Sequence, residues 1–230
     1  MESPGRDSAP PVGTLSLGDR GEPQALGKGV SDDAVAALRA DQLVVLPTDT
    51  VYGLCADAYR ERPCRRLYAA KRRPETMPVQ VLAAGLDTIL EAVPEACGRA
   101  AVVARALLPG PYTLILPNPA RRFPWLTGTR PETIGVRVPD LPRQALEVVR
   151  RVGLVASTSA NRHGEPDPAR PEDIQKEILD ACGVVVEAGE LPGTPSTVLD
   201  LTGPEPAVLR EGAVTAGEAL GAAAAALSAE

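Results

Sequence analysis

Short apolar runs of four or five residues, several of them rich in valine, recur along this chain between longer stretches with helical spacing. This alternation narrows the choice of fold more than any other feature. Leu43–Leu46 is the first such run and stops at Pro47, and four consecutive apolar residues with β-branched members read as a buried strand. Further strands are predicted near 79–83, 113–116, 133–138, 154–157, 184–187, 197–201 and 207–210. Helices are predicted over about 61–72, 86–92, 96–108, 142–151 and 172–181. Strands interleaved with helices predict an α/β fold, a sheet covered on both faces. The closely spaced strands near the C-terminus add antiparallel pairing and so a mixed sheet.

At 230 residues there is room for one well-buried domain and one active site. Residues 1–29 carry ten prolines and glycines among polar residues and read as a flexible tail. Ser31 suits an N-cap, with Asp32 and Asp33 near the helix N-terminus. Residues 30–213 form the predicted catalytic domain. Residues 214–230 form an Ala-rich tail or helix, with its low-complexity stretch at 216–227.

Aromatic residues make up only 3% of the chain and the net charge is −6, which argues against recognition by base stacking and against a global pull toward nucleic acid or an anionic membrane. Any RNA contact must be local and weak. The four cysteines form no C-x-x-C pair and there is one histidine, His163, so neither a zinc site nor a disulfide framework is indicated. The first thirty residues lack the apolar region of a signal peptide, and no apolar run approaches the roughly 20 residues that span a bilayer. A cytoplasmic location, with no membrane contact, is the expectation.

Several segments could carry chemistry. Residues 46–54 place Thr48, Asp49 and Thr50 directly after a strand, where open α/β sheets bind ligands. They read either as a substrate pocket or as a polar turn with Asp49 capping the backbone. Seven cations fall between Arg60 and Arg73. Most of them suit a solvated helix face, whereas Lys71 and Arg73 stand at a helix end before Pro74 and could hold a triphosphate. On a strand, Thr133, Gly135 and Arg137 share one side, and a buried arginine there requires a carboxylate partner or a bound anion. Ser157-Thr158-Ser159-Ala160-Asn161 ends a further strand and suits a phosphate, an amino acid or a plain polar turn. His163 beside it reads as a surface histidine ahead of a general base. Pro109–Thr113 reads as a structural turn. The chain lacks a phosphate loop, a dinucleotide fingerprint and a nucleophile elbow, so any ATP site is built otherwise.

Taken in order, Pro47-Thr48-Asp49-Thr50-Val51-Tyr52-Gly53-Leu54, Lys71-x-Arg73-Pro74, Pro109-Gly110-Pro111-Tyr112-Thr113, Gly135-Val136-Arg137-Val138-Pro139, Ser157–Asn161, Ser196-Thr197-Val198-Leu199-Asp200 and Leu209-Arg210-x-Gly212 resemble the threonylcarbamoyl-AMP synthase family in its short form, a single YrdC-like domain with a twisted mixed β-sheet flanked by helices. The resemblance implies an enzyme, a nucleotidyltransferase that joins L-threonine, bicarbonate and ATP and releases pyrophosphate. Its product would pass to a downstream tRNA-modifying transferase complex for threonylcarbamoyladenosine biosynthesis.

By the same resemblance Lys71, Arg73, Ser159 and Asn161 serve the reacting centre. Lys71, Arg73, Met77, Thr133, Asn161 and Arg210 would bind ATP, and Thr50, Arg137, Ser159 and Ser196 would bind threonine. Mg2+ would enter with ATP, held by phosphate oxygens and water rather than by a protein metal site. Arg72 and Cys55 stand where the family commonly has glycine, His163 replaces a small residue, and Met77 replaces a polar one, which leaves its backbone for nucleotide contact. A related transferase that handles carbamoyl-adenylate with another acceptor, and a non-catalytic RNA-binding protein of the same fold, are the alternatives.

Overall fold

The computed structural model describes residues 28–229; nearly all of the predicted N-terminal tail, residues 1–27, lies outside them, as does Glu230. In chain order the elements are α1 (Lys28–Arg39), β1 (Leu43–Pro47), β2 (Tyr52–Asp57), α2 (Glu61–Lys71), β3 (Gln80–Ala83), α3 (Leu86–Ala92), α4 (Arg99–Leu107), β4 (Tyr112–Pro117), β5 (Thr133–Arg137), α5 (Arg143–Val152), β6 (Leu154–Ser159), α6 (Lys176–Ala181), β7 (Cys182–Val185), β8 (Thr197–Asp200), β9 (Ala207–Arg210) and α7 (Ala216–Ser228), with a short 3-10 turn at Pro171–Asp173. The strands form one mixed sheet in the order β7-β1-β2-β6-β3-β5-β4-β8-β9. The β1/β7, β3/β5 and β4/β8 pairs are parallel, and the others are antiparallel.

Alternation along the strands feeds two cores. Leu43 and Val45 face one, with Leu54, Ala56, Leu154 and Ala156 and the apolar sides of α2, α4 and α6. Val44 and Leu46 face the other, with Cys55, Val155 and Leu82, under α1 and α5. On this second face α1 and α5 pack over β7, β1, β2, β6 and β3. The part of the sheet running from β5 to β9 is left open there, and the cleft described below lies on it.

Two local expectations are corrected. Helix α1 begins at Lys28, so Ser31 lies within it and caps nothing; fully buried, its Oγ donates to Gln144 O at 3.4 Å and ties α1 to the start of α5. The segment after β1 is also more than a loop, because Tyr52–Asp57 returns as β2, with Leu46 opposite Gly53. Thr48 closes the turn between them: its Oγ1 accepts from the backbone N–H groups of Thr50 and Val51, both at 3.2 Å, and donates to Val51 O at 2.7 Å. The Ala-rich segment is helix α7. It opens with a Thr215/Glu218 capping box and buries Ala219 and Ala223 in the larger core, alongside α4.

Helix α2 ends in a left-handed residue, Arg72, with φ 52 and ψ 38. A side chain in that conformation costs about 1–2 kcal/mol, from which the greater freedom of unfolded glycine subtracts about 0.5–1. Arg72→Gly is therefore expected to stabilise the protein by about 1 kcal/mol, raising the thermal midpoint by about 2–4 °C. Calorimetry on the two proteins checks this; an unchanged or lower midpoint contradicts it.

Candidate active site

The cleft floor is formed by the open part of the sheet and its border with β3: Gln80 at the start of β3, Thr133, Gly135 and Arg137 of β5, Thr113 and Ile115 of β4, and Val198 of β8. Its rim carries Arg73 from beyond α2, Ser157–Ser159 from the end of β6, Asp167 from the following loop, Ser196 before β8 and Arg210 at the end of β9. Thr133, Gly135 and Arg137 stand on one side, as strand alternation requires.

Arg137 is 4% exposed. Its Nη2 donates to Thr50 Oγ1 at 2.7 Å and makes a short ion-paired contact with Asp49 Oδ1, while Asp49 Oδ2 accepts from Asp140 N at 3.2 Å. Asp49 is thus the carboxylate that the buried arginine needs. Burial pulls the arginine pKa down, opposed by Asp49, and pushes the Asp49 carboxyl up, opposed by Arg137. The pair holds its charges because a guanidinium keeps its proton in proteins. Arg137 Nε is buried without a partner, and so is Arg73 Nε at the cleft rim. Buried N–H donors of charged groups left unmatched cost about 1–3 kcal/mol each. Both suit an anionic ligand.

The turn after β6 is held from behind. Lys71 Nζ donates to Ser159 O at 2.5 Å, Asn161 O at 2.6 Å and Asn161 Oδ1 at 2.8 Å, which uses all three of its protons. Ser159 Oγ also donates to Asn161 Oδ1, at 2.7 Å, and Asn161 Nδ2 donates to Glu165 O and to Asp167 Oδ1. Burial, reinforced by Arg73 and opposed by Asp167, brings the Lys71 pKa down to about 8. Arg210 Nη2 donates to Ser196 O at 2.8 Å and to Ser196 Oγ at 3.3 Å.

Of the ten predicted site residues, Arg73, Thr133, Arg137, Ser159, Ser196 and Arg210 line the cleft, and Thr50, Lys71, Met77 and Asn161 stand behind its wall. Two expectations change as a result. Lys71, 1% exposed, is a buried strut under the Ser159–Asn161 turn rather than a cation open to the cleft, because the end of α2 packs against that turn. Met77, half-buried, does not line the cleft, and its carbonyl already accepts from Tyr68 Oη at 2.9 Å. The Thr113 side chain, read in sequence as part of a structural turn, faces the cleft, as do Gln80 and Asp167; a polar residue at a strand end was the only sequence signal for Gln80, and Asp167, in a loop, had none.

Most of the basic run is spent locally. Arg60 pairs with Asp41 and Asp57, Arg65 with Glu61 and Glu75, and Arg66 donates to Asp41 O. Cys55, 0% exposed, has its thiol pushed up to about 12 by burial, which leaves it unreactive. Among the described residues no three His, Cys, Asp or Glu side chains converge as a metal site, and no helix is long and apolar enough to cross a membrane.

Fold and cleft together define an α/β protein whose mixed sheet carries a cleft lined by arginines and a hydroxyl-rich turn, a lining suited to anionic groups. The chain belongs to the Sua5/YciO/YrdC family: the family model, described as "Telomere recombination", matches residues 36–212. A Mycobacterium tuberculosis protein whose provisional name is threonylcarbamoyl-AMP synthase is 38% identical over 198 residues, covering 86% of this chain and 90% of its own. The threonylcarbamoyl-AMP synthase of Bacillus subtilis is 35% identical over 185 residues, 79% of this chain and 53% of the relative. Pyrococcus abyssi Sua5, solved in complex with L-threonine, superposes with a TM-score of 0.74 at 31% identity, covering 82% of this chain and 56% of that one.

Proposed function

We propose that this enzyme is a threonylcarbamoyl-AMP synthase, a nucleotidyltransferase that forms its product and pyrophosphate from L-threonine, bicarbonate and ATP. The observation that carries the reading is that three arginines from different elements, Arg73, Arg137 and Arg210, meet at one cleft beside a hydroxyl-rich turn. Arg137, backed by Asp49, suits a carboxylate, and Arg73 and Arg210 suit phosphates. The relatives' names supply the particular pair of substrates.

In this reading Arg137, held in place by Asp49 and Thr50, orients the threonine carboxylate, Ser196 serves the threonine side from beside Arg210, and Thr133, Arg73 and Arg210 hold the nucleotide. Ser159 lines the same cleft, fixed by Asn161 and Lys71. The threonine amine adds to carbon dioxide to form a carbamate, whose oxygen attacks the α-phosphorus as pyrophosphate leaves. The protein's share is positioning and charge stabilisation. Asp167, the carboxylate of the cleft wall, and the Ser159 hydroxyl are hard oxygen donors that fit Mg2+ brought in by ATP; the ion would offset phosphate charge. The reading carries a cytoplasmic location and transfer of the product to a tRNA-modifying complex. The RNA-binding alternative loses ground because Arg60 and Arg65 are already neutralised by carboxylates.

With magnesium, ATP and bicarbonate, pyrophosphate release is expected to require L-threonine and to disappear in Lys71→Ala. Release indifferent to threonine would mean another acceptor, and no release would overturn the synthase reading.

A further inference from the structure

A chain of hydrogen bonds crosses the cleft floor at right angles to the strands, and its direction is set at one end. Arginine can only donate, and Arg210 Nη2 donates to Ser196 Oγ at 3.3 Å. Ser196 Oγ lies 2.8 Å from Thr113 Oγ1, and Thr113 Oγ1 donates to Gln80 Oε1 at 2.6 Å. Because the Thr113 proton goes to Gln80, the Ser196 proton goes to Thr113. The relay therefore runs from β9 through Ser196 and β4 to β3. Its inner members are almost fully buried, Ser196 at 3% exposure and Thr113 at 4%. With its oxygen engaged, the Gln80 amide shows the cleft its NH2 group.

Gln80 reaches Thr113 past Gly135, where an added Cβ would meet Gln80 Cβ at 3.3 Å and Ile115 Cδ1 at 3.5 Å. Gly135 is also the midpoint of β5 between Thr133, assigned above to the nucleotide, and Arg137, assigned to the threonine carboxylate. The two substrates must meet over it.

We propose that Gln80 is a catalytic donor: its Nε2–H₂ group hydrogen-bonds the anionic oxygen at the junction, of carbamate or α-phosphoryl, as charge develops there. The inference rests on the synthase reading and assigns the group that serves its reacting centre. A preorganised donor aimed at developing charge acts on the transition state more than on the bound substrates.

Gln80→Glu keeps the shape and still accepts from Thr113, but it replaces the donor with a negative acceptor. Gln80→Leu removes the donor without adding charge. In steady-state pyrophosphate release, kcat is expected to fall about 100-fold in Gln80→Glu and less in Gln80→Leu, with KM for ATP and for L-threonine little changed. Unaltered kcat in Gln80→Glu beside an active wild type overturns the role of Gln80 and leaves the synthase reading standing. A fall in kcat matched by losses of ATP binding and thermal midpoint in both variants also overturns it, showing a structural part only. A wild-type protein that releases no pyrophosphate overturns both.

Discussion

Arg137→Ala is expected to abolish threonine-dependent pyrophosphate release, a loss of about 1,000-fold or more, and to lower stability by about 3 kcal/mol. The two effects have different origins. Activity is lost with the arginine that pairs with Asp49 behind the proposed carboxylate site, where orientation of the amino acid sets the attack geometry. Stability is lost because Asp49, largely buried, is left without its partner and must stay charged or take up a proton, and breaking a buried pair from one side typically costs about 3–5 kcal/mol. The double change Arg137→Ala with Asp49→Asn should recover much of the stability and none of the activity. Arg137→Lys retains a charge beside Asp49 but loses the fork, so it should fold and show a KM for threonine raised about 100-fold. Urea unfolding and threonine titrations separate these outcomes. An Arg137→Ala enzyme with normal threonine dependence would remove Arg137 from the site.

Lys71→Met has the second large effect. It leaves Ser159 O and Asn161 O without this donor, at about 1 kcal/mol or more for each, and Asn161 Oδ1 with only the Ser159 hydroxyl. The Ser159–Asn161 turn loosens, and activity should fall by about 100-fold or more. The same strut predicts a pH dependence. As pH rises through about 8 Lys71 loses its proton, and a neutral amine has two donors for three acceptors, so the wild-type rate should decline there. Lys71→Arg, which keeps its charge, should move that limb upward.

Stability shifts the other way. The unfolded chain holds the lysine proton to about 10.5, so between about 8 and 10.5 it binds more protons at this site than the folded one, and wild type gains stability relative to Lys71→Met. The buried thiols of Cys55, Cys64 and Cys182, each pushed up to about 12, act in the opposite sense in both proteins. Comparing the two proteins cancels that background. A rate that fell only where the wild type unfolded would remove Lys71 from the pH profile.

The local pattern of the chain reported much of this. Val and Leu runs marked most of the strands within a residue or two, because alternate side chains of a strand must enter two cores. The same period put Thr133, Gly135 and Arg137 on one side. Tyr52–Asp57 escaped notice because it opens Tyr-Gly beside a polar turn and carries no β-branched residue, so that pairing with β1, rather than propensity, makes it a strand.

By itself, then, the sequence determined the fold class, the buried arginine's demand for a counter-charge, and, through its ordered motifs, the family. These depend on residue type and on the short spacing that sets which face a side chain joins. Only the tertiary structure decided that the counter-charge is Asp49, 88 residues from Arg137, and that Lys71 is a strut bonded to residues 88 and 90 positions away. It alone aligned Arg210, Ser196, Thr113 and Gln80 across the floor. Those contacts follow from the strand order, which is set by how the whole chain buries its two apolar faces, and no local window of residues encodes that.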